Sequence, residues 1–163
     1  MTDAIQRYFL AEKIGGQVAV SIGVAACSVG GGVMLSAGAP FYTGLAIPLV
    51  VVGIIQIMVG ATVARRSDFQ AMDLEKLLDE SPAEFRSLES PRMAAVLRNF
   101  IRLKWGEVAF ITVGLAVILV NDNPTFPKGL GAGLFAQGLI SLVFDFFAEK
   151  RAKVYANFIN KIA

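Results

Sequence analysis

Four long apolar stretches, arranged in two pairs, dominate the pattern of hydrophobic and polar positions along the chain. A charged segment, residues 65–100, separates the two pairs. A bilayer core about 30 Å thick requires about 20 mostly apolar residues in each spanning helix. The pattern therefore predicts an all-α integral membrane protein, with residues 1–163 forming a single membrane domain. Its four transmembrane helices are expected at about residues 14–36, 41–64, 101–120 and 129–148.

Short connections join the two members of each pair. Residues 37–40, with the sequence Ala-Gly-Ala-Pro, separate the first two stretches, and residues 121–128 separate the last two. Connections this short, rich in Gly, Pro and Asn, are typical of antiparallel neighbours. We therefore expect two antiparallel helical hairpins.

The charged segment between the pairs contains helix signals of its own. Apolar residues recur at helical spacing over residues 67–78, and the sequence Ser-Pro-Ala-Glu at residues 81–84 combines an N-cap, a first-turn proline and a capping-box glutamate. Ser90 and Pro91 repeat the start signal before an apolar face that continues into the third stretch. Helices two and three should therefore extend beyond the membrane as a cytoplasmic helical insertion and meet near residues 80–91.

The placement of basic residues predicts the orientation in the membrane. Of the 15 Lys and Arg residues, Lys128 is the only one within the short connections. Cytoplasmic flanks of membrane helices carry the excess of Lys and Arg. We therefore expect both termini and residues 65–100 in the cytoplasm, and the chain in a bacterial inner (plasma) membrane. The basic tail after the fourth stretch, with Tyr155 and Ile159, is expected to rest on lipid headgroups.

Polar side chains inside the apolar stretches form a candidate intramembrane polar site. A carboxylate in a bilayer is costly unless it is neutral, paired or hydrated, and for this reason it indicates function. The two carboxylates, those of Glu107 and Asp145, lie near the cytoplasmic ends of the third and fourth stretches, where a lysine or arginine could reach them. Interfacial ion pairing, a proton or cation relay and contact with a partner therefore all stay open. The candidate residues are Gln56, Glu107, Gln137, Ser141 and Asp145.

Glycines form a second pattern, a candidate helix-packing face. In the first stretch they recur with a seven-residue period, and the second stretch echoes this spacing. In lipid, such small residues allow close backbone approach and van der Waals packing. The face either packs the four helices together or receives a helix of another subunit or protein. The glycines concerned are Gly16, Gly23, Gly30, Gly53, Gly60 and Gly133.

Composition excludes several classes of site. The sequence has no histidine, a single cysteine and no glycine-rich phosphate loop with its lysine, which argues against metal centres, His-containing triads and nucleotide hydrolysis. We expect no catalytic, cofactor or metal site, and no enzyme activity. A net charge of +2 is too small to indicate a nucleic-acid partner.

Three functions are compatible with this pattern. The first is a non-catalytic inner-membrane binding protein that acts through helix–helix contacts and its cytoplasmic extension, for example an immunity protein against a membrane-inserting toxin. The second is a small oligomeric transporter or channel in which Glu107 or Asp145 carries protons or cations. The third is an accessory subunit of a membrane complex. The expected contacts are the lipid bilayer and either a membrane protein partner or further copies of the chain.

Overall fold

The computed structural model describes residues 2–36 and 38–162, and within these ranges the chain is helical with no strand. Each of its four helices contains a stretch apolar and long enough to cross a membrane. The predicted all-α class with four candidate membrane spans is therefore confirmed. Ala37, in the first predicted turn, lies outside the described residues. The helices are α1 (Thr2–Ser36), α2 (Pro40–Glu80), α3 (Pro82–Val120) and α4 (Phe126–Ile159).

A single residue, Ser81, separates α2 from α3. Its backbone N–H donates to the Leu77 carbonyl at 2.8 Å, and its own carbonyl accepts from the Phe85 N–H at 2.9 Å. Pro82 follows as the first residue of α3, where the N–H that proline lacks would have no helical partner. The helix start lies where the sequence predicts it, although the Ser81 side chain makes no capping hydrogen bond.

The second predicted start signal, at Ser90 and Pro91, does not begin a helix, because α3 continues through it. A proline inside a helix removes one backbone hydrogen bond and is normally disruptive. Here Pro91 faces solvent, whereas Glu89 and Met93 on the other side of the helix are almost completely buried. Tertiary packing of that buried face outweighs the local preference for a break.

The helices pack in the order α1, α2, α4, α3, with α2 and α4 in the middle. Gly16 of α1 faces Gly60 of α2, and Gly23 faces Gly53, so residue numbers rise along α1 as they fall along its neighbour. In the described ranges α1 and α3 have no Cα atoms within 8 Å of each other. The backbones of the two outer helices are therefore not in close contact.

The core of buried apolar side chains lies at one end of the molecule, outside the predicted spans. We call this end, where α2 and α3 meet, the Ser81 end. All four helices contribute to the core, and the Tyr8 and Tyr155 rings stack with their centroids 4.2 Å apart. Apolar burial is driven by water and gives little within lipid, which accounts for a core at this end. The core residues are Ile5, Tyr8, Phe9, Leu78, Phe85, Met93, Ala152, Tyr155, Ile159 and Ile162.

The C-terminal tail differs from the expectation that it rests on lipid headgroups. Tyr155 is 2% exposed and Ile159 is 0% exposed, because both pack into the core against α1 and α3. Since apolar partners from the N-terminal turns of α1 are present at the same level, the tail buries its apolar face within the protein rather than in the bilayer surface.

Candidate functional site

The predicted packing glycines are all buried against other helices of the same chain. A Cβ atom on Gly23 would lie 2.5 Å from the Gly53 carbonyl oxygen, and one on Gly133 would lie 2.7 Å from the Leu45 carbonyl oxygen. Gly30 similarly packs against Val50 of α2. These surfaces are therefore occupied within the chain and are not free to receive a foreign helix.

Three of the five predicted polar residues form one hydrogen-bonded group between α2 and α4. The Gln56 amide donates to Gln137 Oε1 at 3.3 Å and to Ser141 Oγ at 3.4 Å. The Gln137 amide in turn donates to the Leu49 carbonyl at 3.4 Å, and Gln137 is 0% exposed. Both amide groups thereby donate to an acceptor, which reduces the cost of burying them, whereas the Gln56 Oε1 atom receives no hydrogen bond from any described residue.

The other two predicted residues, Glu107 and Asp145, are neighbours between α3 and α4. Because a carboxylate only accepts hydrogen bonds, the two groups could bond to each other only if one of them held a proton. Glu107 is 8% exposed, and its Oε2 atom receives no hydrogen bond within the described part of the chain. No lysine or arginine of residues 3–36 and 38–162 forms a salt bridge with either carboxylate, and Lys104 binds Glu149 at 2.6 Å.

Polar residues follow one face of α4 from its middle to the Ser81 end. Gln137, Ser141, Asp145 and Glu149 are spaced four residues apart and so lie along the same side of the helix. Glu149, which sequence reasoning did not include, binds both Lys104 and Lys153. These hydrogen bonds hold the pKa of Glu149 below its ordinary value.

A cavity of about 320 Å³ lies among all four helices toward the Ser81 end. We call it the arginine cavity, because α2, α3 and α4 each contribute a guanidinium group to its lining. Much of the remaining wall is apolar, with Val63, Phe100 and Leu103 among its residues. The charged residues that line it are Glu12, Arg66, Arg92, Asp145 and Arg151.

The three arginines differ in whether a carboxylate binds them. Arg92 binds Glu89, which is 1% exposed, through two of its nitrogens and also lies over the Phe9 ring at 5.6 Å. Burial opposes the charge on Arg92, but the bond to Glu89 raises its pKa above the ordinary value. Arg66 and Arg151 form no salt bridge with any carboxylate in residues 3–36 and 38–162. The Nε atom of Arg151 is buried without an acceptor.

Glu12 lines the arginine cavity together with Arg66 and Arg151. Burial raises the pKa of Glu12, while the charges of Arg151 and Arg66 act in the opposite direction. The sequence did not predict this cavity, because its charged residues come from four helices and are adjacent only in the folded chain. The available signal was the position of Arg66 and Arg151 just beyond the ends of two apolar stretches.

A second surface feature lies between the Ser81-end portions of α1 and α2. This groove, the α1–α2 groove, is lined by Phe9, Leu10 and Met72 and by the acidic residues Asp68 and Glu75. Leu10 is 59% exposed and Met72 58%, so apolar surface lies open here beyond the predicted spans. The Oε1 atom of Glu75 is buried and receives no hydrogen bond from any described residue.

The fold and these sites define the class as a helical protein with four helices apolar enough to cross a membrane. Across residues 3–36 and 38–162, no group of three or more Asp, Glu, Cys or His side chains is placed to hold a metal ion. Comparisons with protein-family models, with curated proteins and with solved structures find no match for this chain.

Proposed function

We propose that the chain is an inner-membrane protein of two antiparallel transmembrane hairpins, with the Ser81 end and both termini in the cytoplasm. The Lys and Arg distribution supports this orientation, because Lys128 alone lies in a connection within a pair. The register of Gly16 with Gly60 is that of an antiparallel pair. A core of apolar side chains at the Ser81 end is also what a water-exposed region requires.

Cysteine accessibility tests this topology. In a Cys27→Ser background, a single cysteine replaces either Asn123, exposed in the α3–α4 connection, or Ser87, exposed on α3. A membrane-impermeant maleimide should label Asn123→Cys in intact spheroplasts and Ser87→Cys only after lysis. The opposite pattern would overturn the orientation, and labelling of both from outside would overturn the four-span topology.

The function that the geometry supports best is non-catalytic binding of another membrane protein through the α1–α2 groove. The observation that carries it is open apolar surface beyond the spans, with Leu10, Phe69 and Met72 each more than half exposed. Exposed apolar surface in water is unfavourable and, where contiguous, typically marks an interaction site. The packing glycines, by contrast, are used within the chain and offer no comparable surface.

The partner's chemistry follows from the groove. An apolar side chain would fill the space between Leu10 and Met72, and a lysine or arginine would satisfy the buried oxygen of Glu75. One partner of this kind would be a membrane-inserting toxin. By binding the toxin, the chain would prevent it from assembling a pore and would act as an immunity protein. A fixed neighbour in a larger complex is another, which would make it an accessory subunit.

Copurification with matched variants tests binding. The protein is isolated in mild detergent from its native host, and its partners are measured by native mass spectrometry. Met72→Glu places a charge in the groove, whereas Leu88→Glu places one on α3 at a residue with the same 58% exposure. A stoichiometric partner should accompany the wild type and Leu88→Glu but not Met72→Glu. A homomer alone, or equal loss in both variants, would count against the groove as a binding surface.

The hypothesis that the chain is an immunity protein has a separate test. Co-expression with candidate membrane-inserting toxins should rescue growth with the wild-type chain and fail with Met72→Glu, provided that both accumulate equally in the membrane. Rescue that is unaffected by Met72→Glu would place toxin capture elsewhere, and absence of rescue with every candidate would remove this version in favour of the accessory subunit.

Proton- or cation-coupled transport is the second candidate, and the meeting of Glu107 with Asp145 favours it. Two neighbouring carboxyl groups, with Asp145 also lining the arginine cavity, would provide a relay toward the Ser81 end. Toward the other end, Gly44 and Gly129 bring α2 and α4 into backbone contact. A complete path therefore requires an oligomer.

Flux through proteoliposomes tests transport. Glu107→Gln and Asp145→Asn should each abolish proton or cation flux, whereas Asp122→Asn, in the exposed α3–α4 connection, should leave it unchanged. All three variants must retain wild-type circular dichroism. Equal flux in all of them, or no flux in the wild type, would eliminate this mechanism.

A further inference from the structure

The geometry points to a phosphate-binding site in the arginine cavity, with Arg66 and Arg151 as the phosphate ligands and a membrane phospholipid or free phosphate as the source of the group. This site is distinct from the α1–α2 groove and does not depend on the binding function proposed for that groove.

Unused hydrogen-bond donors are the first support. The Arg151 Nε atom is buried and has no acceptor among the described residues, a costly state for a charged group that a bound anion would relieve. Gly15 leaves room for this guanidinium, because a Cβ at that position would lie 3.0 Å from an Arg151 nitrogen. The planar donor fork of arginine matches the geometry of phosphate oxygens.

The pairing of the charges is the second support. Arg92 is already paired with Glu89, whereas Arg66 and Arg151 form no salt bridge with any carboxylate of the described residues. The carboxylates that share the cavity lining with them are Glu12 and Asp145, and Asp145 has Glu107 as its neighbour. Arg66 and Arg151 therefore keep guanidinium donors available to an anion in the cavity.

The apolar part of the wall is the third support. Val63, Phe100 and Leu103 from α2 and α3 line the cavity together with the arginines. The backbones of α1 and α3, which both contribute to the lining, stay more than 8 Å apart in the described ranges. A cavity that combines arginine donors with apolar side chains suits an amphiphile with a phosphate headgroup.

Arg65 provides a matched control for Arg66, because it is the adjacent residue, is also exposed and does not line the cavity. The delipidated protein in neutral detergent is titrated with a short-chain phosphatidylglycerol and, separately, with inorganic phosphate at constant ionic strength. Binding is measured by thermal unfolding and by native mass spectrometry. The variants are Arg66→Gln, Arg151→Gln, Glu12→Gln and the control Arg65→Gln.

Arg66→Gln and Arg151→Gln should each weaken binding by about tenfold, the scale of one charge-assisted hydrogen bond, and Arg65→Gln should not. Glu12→Gln should tighten binding, because it removes the opposing carboxylate. Because Arg66 is exposed, its variant should fold even if Arg151→Gln does not. Saturation by phosphatidylglycerol alone identifies a lipid site, and saturation by inorganic phosphate identifies a free anion. No binding of either probe, or equal losses in Arg65→Gln and Arg66→Gln, would overturn the inference.

Discussion

Gly16 and Gly60 each occupy the space that a side chain on the other would need. A Cβ atom on Gly16 would lie 2.6 Å from the Gly60 carbonyl oxygen, and a Cβ atom on Gly60 would lie 2.5 Å from the Gly16 carbonyl oxygen. The obstacle in both directions is backbone, which cannot rotate away as a side chain can. Because lipid offers little hydrophobic drive for helix association, this close approach is a main source of attraction between α1 and α2.

Gly60→Ala should therefore destabilise the protein by about 1–3 kcal/mol, the usual cost of overpacking a well-filled contact. The control is Gly31→Ala, because a Cβ at Gly31 meets nothing within 4 Å. Alanine there should be neutral or stabilising by up to about 1 kcal/mol through its higher helix propensity. Reversible unfolding in mixed detergent micelles measures both. Equal stability of the two variants would show that α1 and α2 pack differently.

Glu89→Gln should destabilise the fold by about 2 kcal/mol, because it leaves the half-buried Arg92 without its carboxylate. The figure is below that for a fully buried pair, since the Arg92 side chain is 31% exposed. The double variant Glu89→Leu with Arg92→Met should recover much of the loss, because it removes both charges together. If the double variant costs as much as the sum of its single substitutions, the pair is not coupled.

Glu149 and Glu12 should give opposite dependences of stability on pH. The pKa of Glu149 is lowered by Lys104 and Lys153, so its contribution is present above about 4.5 and is lost as pH falls through its folded pKa. Burial raises the pKa of Glu12, so the associated stability is present below about 4.5 and is lost as pH rises through its folded pKa.

Thermal unfolding between about pH 3 and 8 separates the two effects. Relative to wild type, Glu149→Gln should be less stable at neutral pH and should converge with it in acid. Glu12→Gln should be more stable at neutral pH and should also converge with it in acid. If the stability of either variant stayed a constant amount above or below that of wild type at every pH, the role assigned to that glutamate would be wrong.

Gln137→Leu should cost no more than about 1 kcal/mol, the usual scale of one interhelical hydrogen bond in a membrane. Gln137 is fully buried, but its loss leaves Gln56 with Ser141 as a remaining acceptor. Gln137→Leu combined with Ser141→Ala should cost more than the two separate losses added together, because Gln56 then has neither acceptor. Strict additivity of the two substitutions would indicate that Gln56 does not depend on either residue.

The sequence alone predicted the features that depend on residues close together along the chain. The four apolar stretches and the proline at residue 82 specify long helices and the start of α3 through backbone and side-chain preferences alone. Pro91 carries the same local signal, yet α3 continues through it, because Glu89 and Met93 are held by tertiary packing. Local signals therefore predicted where a helix can begin but not which of the two candidates begins one.

The charged sites could be identified only in the folded chain. Arg66, Arg92 and Arg151 come from three helices, and no spacing along the sequence indicates that they share a cavity. Neither Glu107 nor Asp145 forms a salt bridge within the described residues, and Lys104, three residues before Glu107, binds Glu149 instead. Glu89 did carry a signal, because it lies four residues from Phe85 and four from Met93 on one apolar face of α3.

The unbroken length of α2 has a mechanical consequence. Its 41 residues span about 60 Å, roughly twice the apolar thickness of a bilayer. The distance from Gly53 to Glu80 is about 40 Å, so a tilt of about 10° around Gly53 would sweep the far end of the helix sideways by about 7 Å. With only Ser81 between them, α3 must follow that movement. In the proposed topology, a slight tilt of the membrane-spanning part of α2 would therefore displace the Ser81 end by a larger distance, and α3 would move with it.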